Sequence, residues 1–278
     1  MIPGAFEYVR AGSADEAIAA LGEHGDDAKL LAGGMSLLPL MKLRLAVPGV
    51  LVDVGRVDDL RYVRDAADHI AIGALTRHRD LETSALLAAD CGVLQAVAAE
   101  VGDPQVRHRG TLGGSVAHGD PASDLPAVLL AVDATFVACG PAGERTIAVA
   151  DFFSGFLETA LAPDELLREI RVPKTGANGF SYEKFNRRAQ DWAIVGALAV
   201  RTKDATRVSL VNMAPTPLRA RGVEEALAAG ASIDDAAACA AEGTEPSADL
   251  NASTAYREHL ARVLTRRALQ HATGKSAA

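Results

Sequence analysis

Residues 32–46 read AGGMSLLPLMKLRLA, a glycine pair that runs straight into an apolar segment with helical spacing. Just before it, Lys29-Leu30-Leu31 reads as the end of a short buried strand. A strand that breaks at Gly33-Gly34 and turns into a helix leaves backbone N–H groups bare, because neither glycine has a Cβ to cover them. Such loops hold anions. An ordinary tight turn is the other reading of one glycine pair. A second pair, Gly113-Gly114, stands in RGTLGGSVAHGDPASDLP, residues 109–126. Both have hydroxyl neighbours: Ser36 after the first, Thr111 and Ser115 around the second. Two glycine loops facing one another, each offering N–H donors, suit a pyrophosphate. Neither fits the GxxxxGK[ST] pattern of a triphosphate loop or the GxGxxG pattern of the usual dinucleotide fold.

Composition narrows the partners. A chain of 278 residues predicts two domains or subdomains. It is 49% hydrophobic but only 4% aromatic, so the core rests on Ala, Leu and Val. The net charge of −8, with no clustered basic face, argues against a nucleic-acid partner. The apolar stretches are broken by charge and fall short of a membrane span. The start, MIPGAFEYVR, lacks the basic and apolar regions of a signal peptide, which predicts a cytoplasmic protein. Cys91, Cys139 and Cys239 form no CxxC pair and are too few for an iron–sulfur cluster or zinc finger within this chain. They read as small buried hydrophobes. Metal centres feeding electrons to this protein would therefore sit on another chain.

Ser13 followed by Glu16 predicts a capped helix from residue 14. Strands are expected at 29–31, 50–54, 69–74, 134–139 and 166–172, with 64–68 a polar connection. Residues 86–101 read as one buried helix, ended by Gly102-Asp103-Pro104. Residues 106–126 are the densest run of turn residues, followed by an apolar stretch at 127–132. A connector at 173–179 is the expected domain boundary. Strands at 180–185, 194–200 and 208–213 precede an alanine-rich helical remainder, with a capped last helix from Ser253 to His271 and a frayed tail at 274–278.

Three side chains have two readings each. Asp124 is either the N-cap of a helix beginning Leu125-Pro126 or an acceptor for a ribose or adenine. Trp192, the only tryptophan, is either core or an aromatic cover for a flat cofactor, following the cationic run 184–188 and Asp191. His118 has no second His or Cys at metal-ligand spacing and reads as a loop residue.

The segments AGGMSLLPLMKLRLA (32–46), RGTLGGSVAHGDPASDLPAVLLA (109–131) and YEKFNRRAQDWAIVGAL (182–198), in this order and spacing, resemble the FAD-binding subunit of the molybdenum hydroxylases, the xanthine dehydrogenase family. The opening MIPGAFEY fits as well, and the likeness runs over essentially the whole chain. Within the family it is greatest to the medium subunits of aerobic carbon monoxide dehydrogenases; purine, N-heterocycle and aldehyde hydroxylases are the other branches. The resemblance implies an α+β protein. A two-subdomain FAD-binding fold of the vanillyl-alcohol-oxidase (PCMH) type, about 1–55 and 56–175, would precede a smaller α+β domain at 176–278. It implies that Ala32, Gly33, Gly34, Met35 and Ser36, with Thr111, Gly113, Gly114 and Ser115, hold the FAD pyrophosphate. Asp124 would bind the adenosine side, Lys184 and Leu167 would approach the flavin end, and Trp192 would lie beside the ring. Met35 fills a slot often polar in the family, and Ser115 replaces a frequent Asn.

The implied work is electron transfer. A large subunit with a molybdenum-pterin cofactor oxidises the substrate, and a small subunit relays electrons through two [2Fe–2S] clusters. This chain would receive them at FAD and reduce an external acceptor such as a quinone. A dimer of heterotrimers, loosely held at the inner face of the membrane, is the implied assembly. No residue of this chain is then a catalytic acid or base, and none holds a metal. A stand-alone flavin oxidase or reductase of the same fold and a non-catalytic scaffold are the rival readings.

Overall fold

The computed structural model describes residues 2–176, 179–202 and 204–274. The first lobe alternates strand and helix: β1 (Glu7–Arg10), α1 (Ala14–His24), β2 (Ala28–Leu31), α2 (Leu37–Leu43) and β3 (Val50–Asp53). Its three strands are parallel in the order β1-β3-β2. Helix α1 begins where the Ser13 hydroxyl accepts the Glu16 N–H at 3.1 Å and the Glu16 carboxylate takes the Gly12 N–H at 2.7 Å. Strand β2 delivers the chain into loop 32–36 at its carboxyl end, where open α/β sheets place their ligands.

The second lobe starts with a hairpin, β4 (Val63–Ala66) and β5 (His69–Gly73). Residues 64–66, expected to be a polar connection, are edge strand; Arg64 and Asp65 are exposed because nothing covers that side. Six helices follow: α3 (His78–Glu82), α4 (Ala85–Asp90), α5 (Gly92–Ala99), α6 (Pro104–Arg109), α7 (Leu112–His118) and α8 (Asp124–Ala131). The single helix expected over 86–101 is two. Cys91, at φ −152° and ψ 60°, closes α4 by donating to Leu87 O and opens α5 by accepting from Leu94 N, so the apolar spacing survives a backbone turn.

The turn-rich run 106–126 is also largely helical. Asp103 caps α6 ahead of Pro104, and Thr111 caps α7 by accepting the Gly114 N–H at 3.1 Å. The second glycine pair therefore forms the first turn of a helix. His118, expected in a loop, is the last residue of α7.

Strands β6 (Thr135–Gly140), β7 (Gly143–Ala148), β8 (Phe153–Gly155), β9 (Glu158–Thr159) and β10 (Leu166–Pro173) complete this lobe. Its main sheet is antiparallel in the order β4-β5-β10-β6-β7, with β8-β9 a separate hairpin. Ile72, Phe136 and Ile170 from the sheet meet Leu94, Val97 and Val128 from the helices in the central core. Every residue of α8 is buried, because it is covered by α5 on one side and the third sheet on the other.

That third sheet is an antiparallel meander of β11 (Phe180–Phe185), β12 (Val195–Arg201), β13 (Thr206–Val211) and β14 (Leu218–Arg219). Helices α9 (Arg221–Ala228), α10 (Ile233–Ala238) and α11 (Thr254–Ala272) back it. Strand β12 reads as a continuous apolar run because both of its faces are covered. Val195, Ala197 and Ala199 pack toward α11, whereas Leu198 and Val200 belong to the central core. Positions 177–178 of the expected connector and 275–278 of the expected tail lie outside the described residues. Cys91 and Cys139 are buried, Cys239 is partly exposed, and all three are free thiols. Among the described residues no helix is long and apolar enough to cross a membrane.

Candidate cofactor-binding site

The lobes line an open cleft of about 720 Å³, within the range of about 300–1,000 Å³ typical of cofactor sites. Every residue singled out from the sequence lines it: Ala32–Ser36 from the first glycine loop, Thr111 and Gly113–Ser115 from the second, and Asp124, Leu167, Lys184 and Trp192.

The two glycine loops touch. A Cβ on Gly33 would lie 2.1 Å from Arg109 O and 2.9 Å from Gly110 Cα, so only glycine lets these backbones meet. Gly34 has φ +75°, which turns the chain toward α2. Among the described residues, no acceptor takes the backbone N–H groups of Gly33, Gly34, Met35, Ser36 or Leu37. Five consecutive free donors on one loop are a nest for an anion.

The second loop differs. Leu112 donates to Thr76 O, Gly113 to Ala74 O, Gly114 to the Thr111 hydroxyl and Ser115 to Thr111 O. Its N–H groups are used inside the chain, so it brings hydroxyls and a surface without side chains rather than a second set of free donors. Gly113 is required by packing, since a Cβ there would stand 2.5 Å from Ala74 Cβ.

Asp124 is not the N-cap of α8. Ser123 occupies the N-cap, and the Asp124 carboxylate turns away to accept from Tyr182 Oη at 2.5 Å and Lys184 Nζ at 2.8 Å. Lys184 also donates to Glu100 O at 2.9 Å. Each side chain of the ion pair is only 6% exposed. Burial raises the pKa of Asp124, opposed by the Lys184 ammonium and the Tyr182 hydroxyl, and burial likewise pushes the Tyr182 hydroxyl up. The resemblance assigned Asp124 and Lys184 to opposite ends of the cofactor; the 2.8 Å contact brings them to one point on the cavity wall. Leu167 is buried on β10, beside the register shift between Leu167 and Glu169.

Trp192 is 54% exposed, which excludes the core reading; its indole stands at the cavity edge. Several lining residues carried no signal in the sequence. The β8–β9 hairpin contributes Leu157 and Glu158, and no motif marks it. His118 lines the cavity with its Nε2 3.9 Å from Asp120 Oδ2, and burial lowers its pKa.

His78 also lines the cavity and is buried, with Nδ1 lacking a partner among the described residues. Burial lowers its pKa to about 4. The unfolded imidazole takes its proton near pH ~6.5, so the chain loses stability as pH falls from there toward the folded value. Between pH 7 and pH 5 the loss from this group is about 2 kcal/mol. Denaturant unfolding at the two pH values checks this. His78→Leu should shrink the difference, and an equal loss in the variant would assign the acid sensitivity elsewhere.

An α/β lobe, an antiparallel sheet and a third module lining one cavity, with an anion nest in its wall, fit a dinucleotide-cofactor protein. The profile of the FAD binding domain in molybdopterin dehydrogenase matches residues 4–175, and that of the CO dehydrogenase flavoprotein C-terminal domain matches 180–272. The chain belongs to this family of FAD-binding molybdopterin dehydrogenase subunits. It is 42% identical to the carbon monoxide dehydrogenase medium chain of Hydrogenophaga pseudoflava, over 100% of both chains. It is 38% identical to the 6-hydroxypseudooxynicotine dehydrogenase complex subunit alpha of Paenarthrobacter nicotinovorans, over 98% of this chain and 96% of that one. Among solved structures, a chain of the Hydrogenophaga pseudoflava carbon monoxide dehydrogenase lacking the Mo-pyranopterin moiety superposes with a TM-score of 0.95 at 43% identity, covering 100% of both.

Proposed function

We propose that this chain is the FAD-carrying electron-transfer subunit of a molybdenum hydroxylase that oxidises carbon monoxide, CO + H2O → CO2 + 2H⁺ + 2e⁻. The observation that carries the reading is the full-length likeness to a carbon monoxide dehydrogenase medium chain, across both the FAD-binding and C-terminal regions. The molybdenum-pterin cofactor belongs to a large partner subunit and the [2Fe–2S] clusters to a small one, in a dimer of heterotrimers. The complex works on the cytoplasmic side of the membrane, loosely held to it, and a quinone is the external acceptor. Within the chain we assign residues 1–175 to the FAD-binding domain and 176–278 to the C-terminal domain.

The residues present fit FAD. The unpaired N–H groups of Gly33–Leu37 match a pyrophosphate, with the Ser36, Thr111 and Ser115 hydroxyls beside them. Bound FAD supplies the redox chemistry, taking up electrons singly or in pairs. The chain's residues bind and tune it. Asp124 holds Lys184 in a dry wall, where its positive charge favours electron density on a neighbouring group. Leu167 and Trp192, which line the cavity, would lie against the flavin ring and offer it apolar surface. Trp192→Ala should leave thermal stability unchanged, because the indole is largely exposed, yet shift the visible spectrum of the bound flavin. An unaltered spectrum would remove Trp192 from the ring.

The test is purification of a tagged chain from its host at low salt, with visible spectrum, metal analysis and co-purifying subunits recorded. FAD with molybdenum, iron, two further chains and carbon-monoxide-dependent dye reduction is the expected result. A lone yellow chain, active and free of metal, would overturn it in favour of an independent flavin enzyme. A complex active on an N-heterocycle or aldehyde but not on carbon monoxide would overturn the substrate alone.

A further inference from the structure

We infer that Asn212, backed by Arg257, is a positioning residue that fixes Trp192 against the cofactor cavity. Trp192 is followed by Ala193 and Ile194, just before β12 begins. The β12–β13 ladder ends at the pair Gly196–Val211, so the carbonyls of Ala193 and Ile194 lie beyond it. Side chains take over there. Asn212 Nδ2 donates to Ala193 O at 2.9 Å and to Ile194 O at 3.3 Å. The Arg257 guanidinium, 2% exposed, donates to Ile194 O through Nη1 and to Asp249 Oδ2 through Nη2 at 2.8 Å. Asp249 is itself held by the N–H groups of Asn251 and Ala252 at 2.8 and 3.0 Å.

The backbone of Asn212 makes a second tie. At φ +61° it leaves the strand direction and donates its N–H to Pro121 O at 2.9 Å, in the loop that leads to Asp124. Asparagine tolerates that left-handed conformation, but a turn alone does not account for an amide bridging two consecutive carbonyls of the segment ahead of β12. One residue thus ties the Trp192 segment to the Asp124 loop, and Arg257 anchors the tie to α11. A half-exposed indole has little packing of its own; the segment that carries it is held by the buried Ala193 and by the Ile194 N–H donated to Phe185 O at 2.8 Å, and the side-chain bonds of Asn212 and Arg257 fix its carbonyl side.

This inference rests on the reading that Trp192 covers the flavin. The chain's single tryptophan makes both parts measurable. Asn212→Gly suits φ +61° and keeps the bond to Pro121, while removing the tether to Ala193 and Ile194. In the full chain, the fluorescence anisotropy decay of Trp192 should gain a fast component in Asn212→Gly, with circular dichroism unchanged. On titration with FAD, quenching of Trp192 should be weaker in the variant at equal flavin occupancy. Arg257→Lys, which keeps the charge and loses the fork, should loosen Trp192 in the same direction and serves if the glycine variant misfolds. Decays identical to wild type in both variants would overturn the tether. Wild-type Trp192 emission that does not change when FAD binds would overturn the flavin-covering reading, and the anisotropy would still decide the tether.

Discussion

Purified Gly33→Ala protein will be colourless. The added Cβ meets Arg109 O at 2.1 Å, Arg109 C at 2.8 Å and Gly110 Cα at 2.9 Å, all of them backbone. No side-chain rotation relieves such a contact, so the two glycine loops must separate. Overpacking of this kind costs about 1–3 kcal/mol. The chain has enough core to stay folded, but the free N–H groups of residues 33–37 move out of register. Binding sites tolerate displacements of only about 0.5 Å, so flavin should be lost while thermal stability falls modestly. Gly114→Ala is the control. There the Cβ meets only the Thr111 hydroxyl, at 2.7 Å, with Ala32 Cβ next at 3.8 Å. Rotation of Thr111 relieves that contact at the expense of its cap on α7, while the free N–H groups of residues 33–37 stay in place, so part of the flavin should remain. The ratio of flavin to protein absorbance, read beside the melting temperature, checks both. A fully yellow Gly33→Ala protein would show that the loops can part without harm to the site.

Lys184→Met should cost about 3–5 kcal/mol of stability, as does removal of one partner from a buried ion pair. Asp124 is left without its cation among residues that already raise its pKa, so it meets the loss in part by taking up a proton. Combining Lys184→Met with Asp124→Asn should recover most of the stability, because no buried charge remains and the amide can still accept from Tyr182. Flavin spectrum and potential should stay altered in the double variant, since the positive charge on the cavity wall is gone. Denaturant unfolding of both single variants and the double variant gives the coupling directly. Additive losses would mean that the two residues do not form the buried pair described.

The first glycine loop was legible because its signal is local: strand, glycine pair and helix are adjacent in sequence. Three of the four strands of the C-terminal sheet were legible, β12 and β13 as apolar runs, whereas the two-residue β14 carried no signal. Helices α6 and α7 were not legible, because Gly113, Gly114 and Pro104 are breakers by type but occupy a first turn or an N1 position, where they are tolerated. The break at Cys91 was hidden by apolar residues on both sides of it. The buried pairing of Asp124 was missed for another reason. Its partners Tyr182 and Lys184 lie on β11, in a different lobe, and no local rule announces a contact across that distance. His78 was passed over because nothing adjacent marks it. Its burial arises from helices that meet only in the folded chain.

The dispersal of the cavity along the chain, from residue 33 to residue 192, has a consequence for biogenesis. Synthesis runs from the N-terminus, so the anion nest at 33–37 and the Thr111–Ser115 turn leave the ribosome before Lys184 and Trp192 do. Leu198 and Val200 of β12 complete the central core, and α11 is needed to cover the other face of that strand. A nascent chain that has emerged only as far as β10 offers the nest, but neither the cation nor the indole. A chain cut after β10 should therefore bind flavin more weakly than the complete polypeptide, since it lacks Lys184 and Trp192.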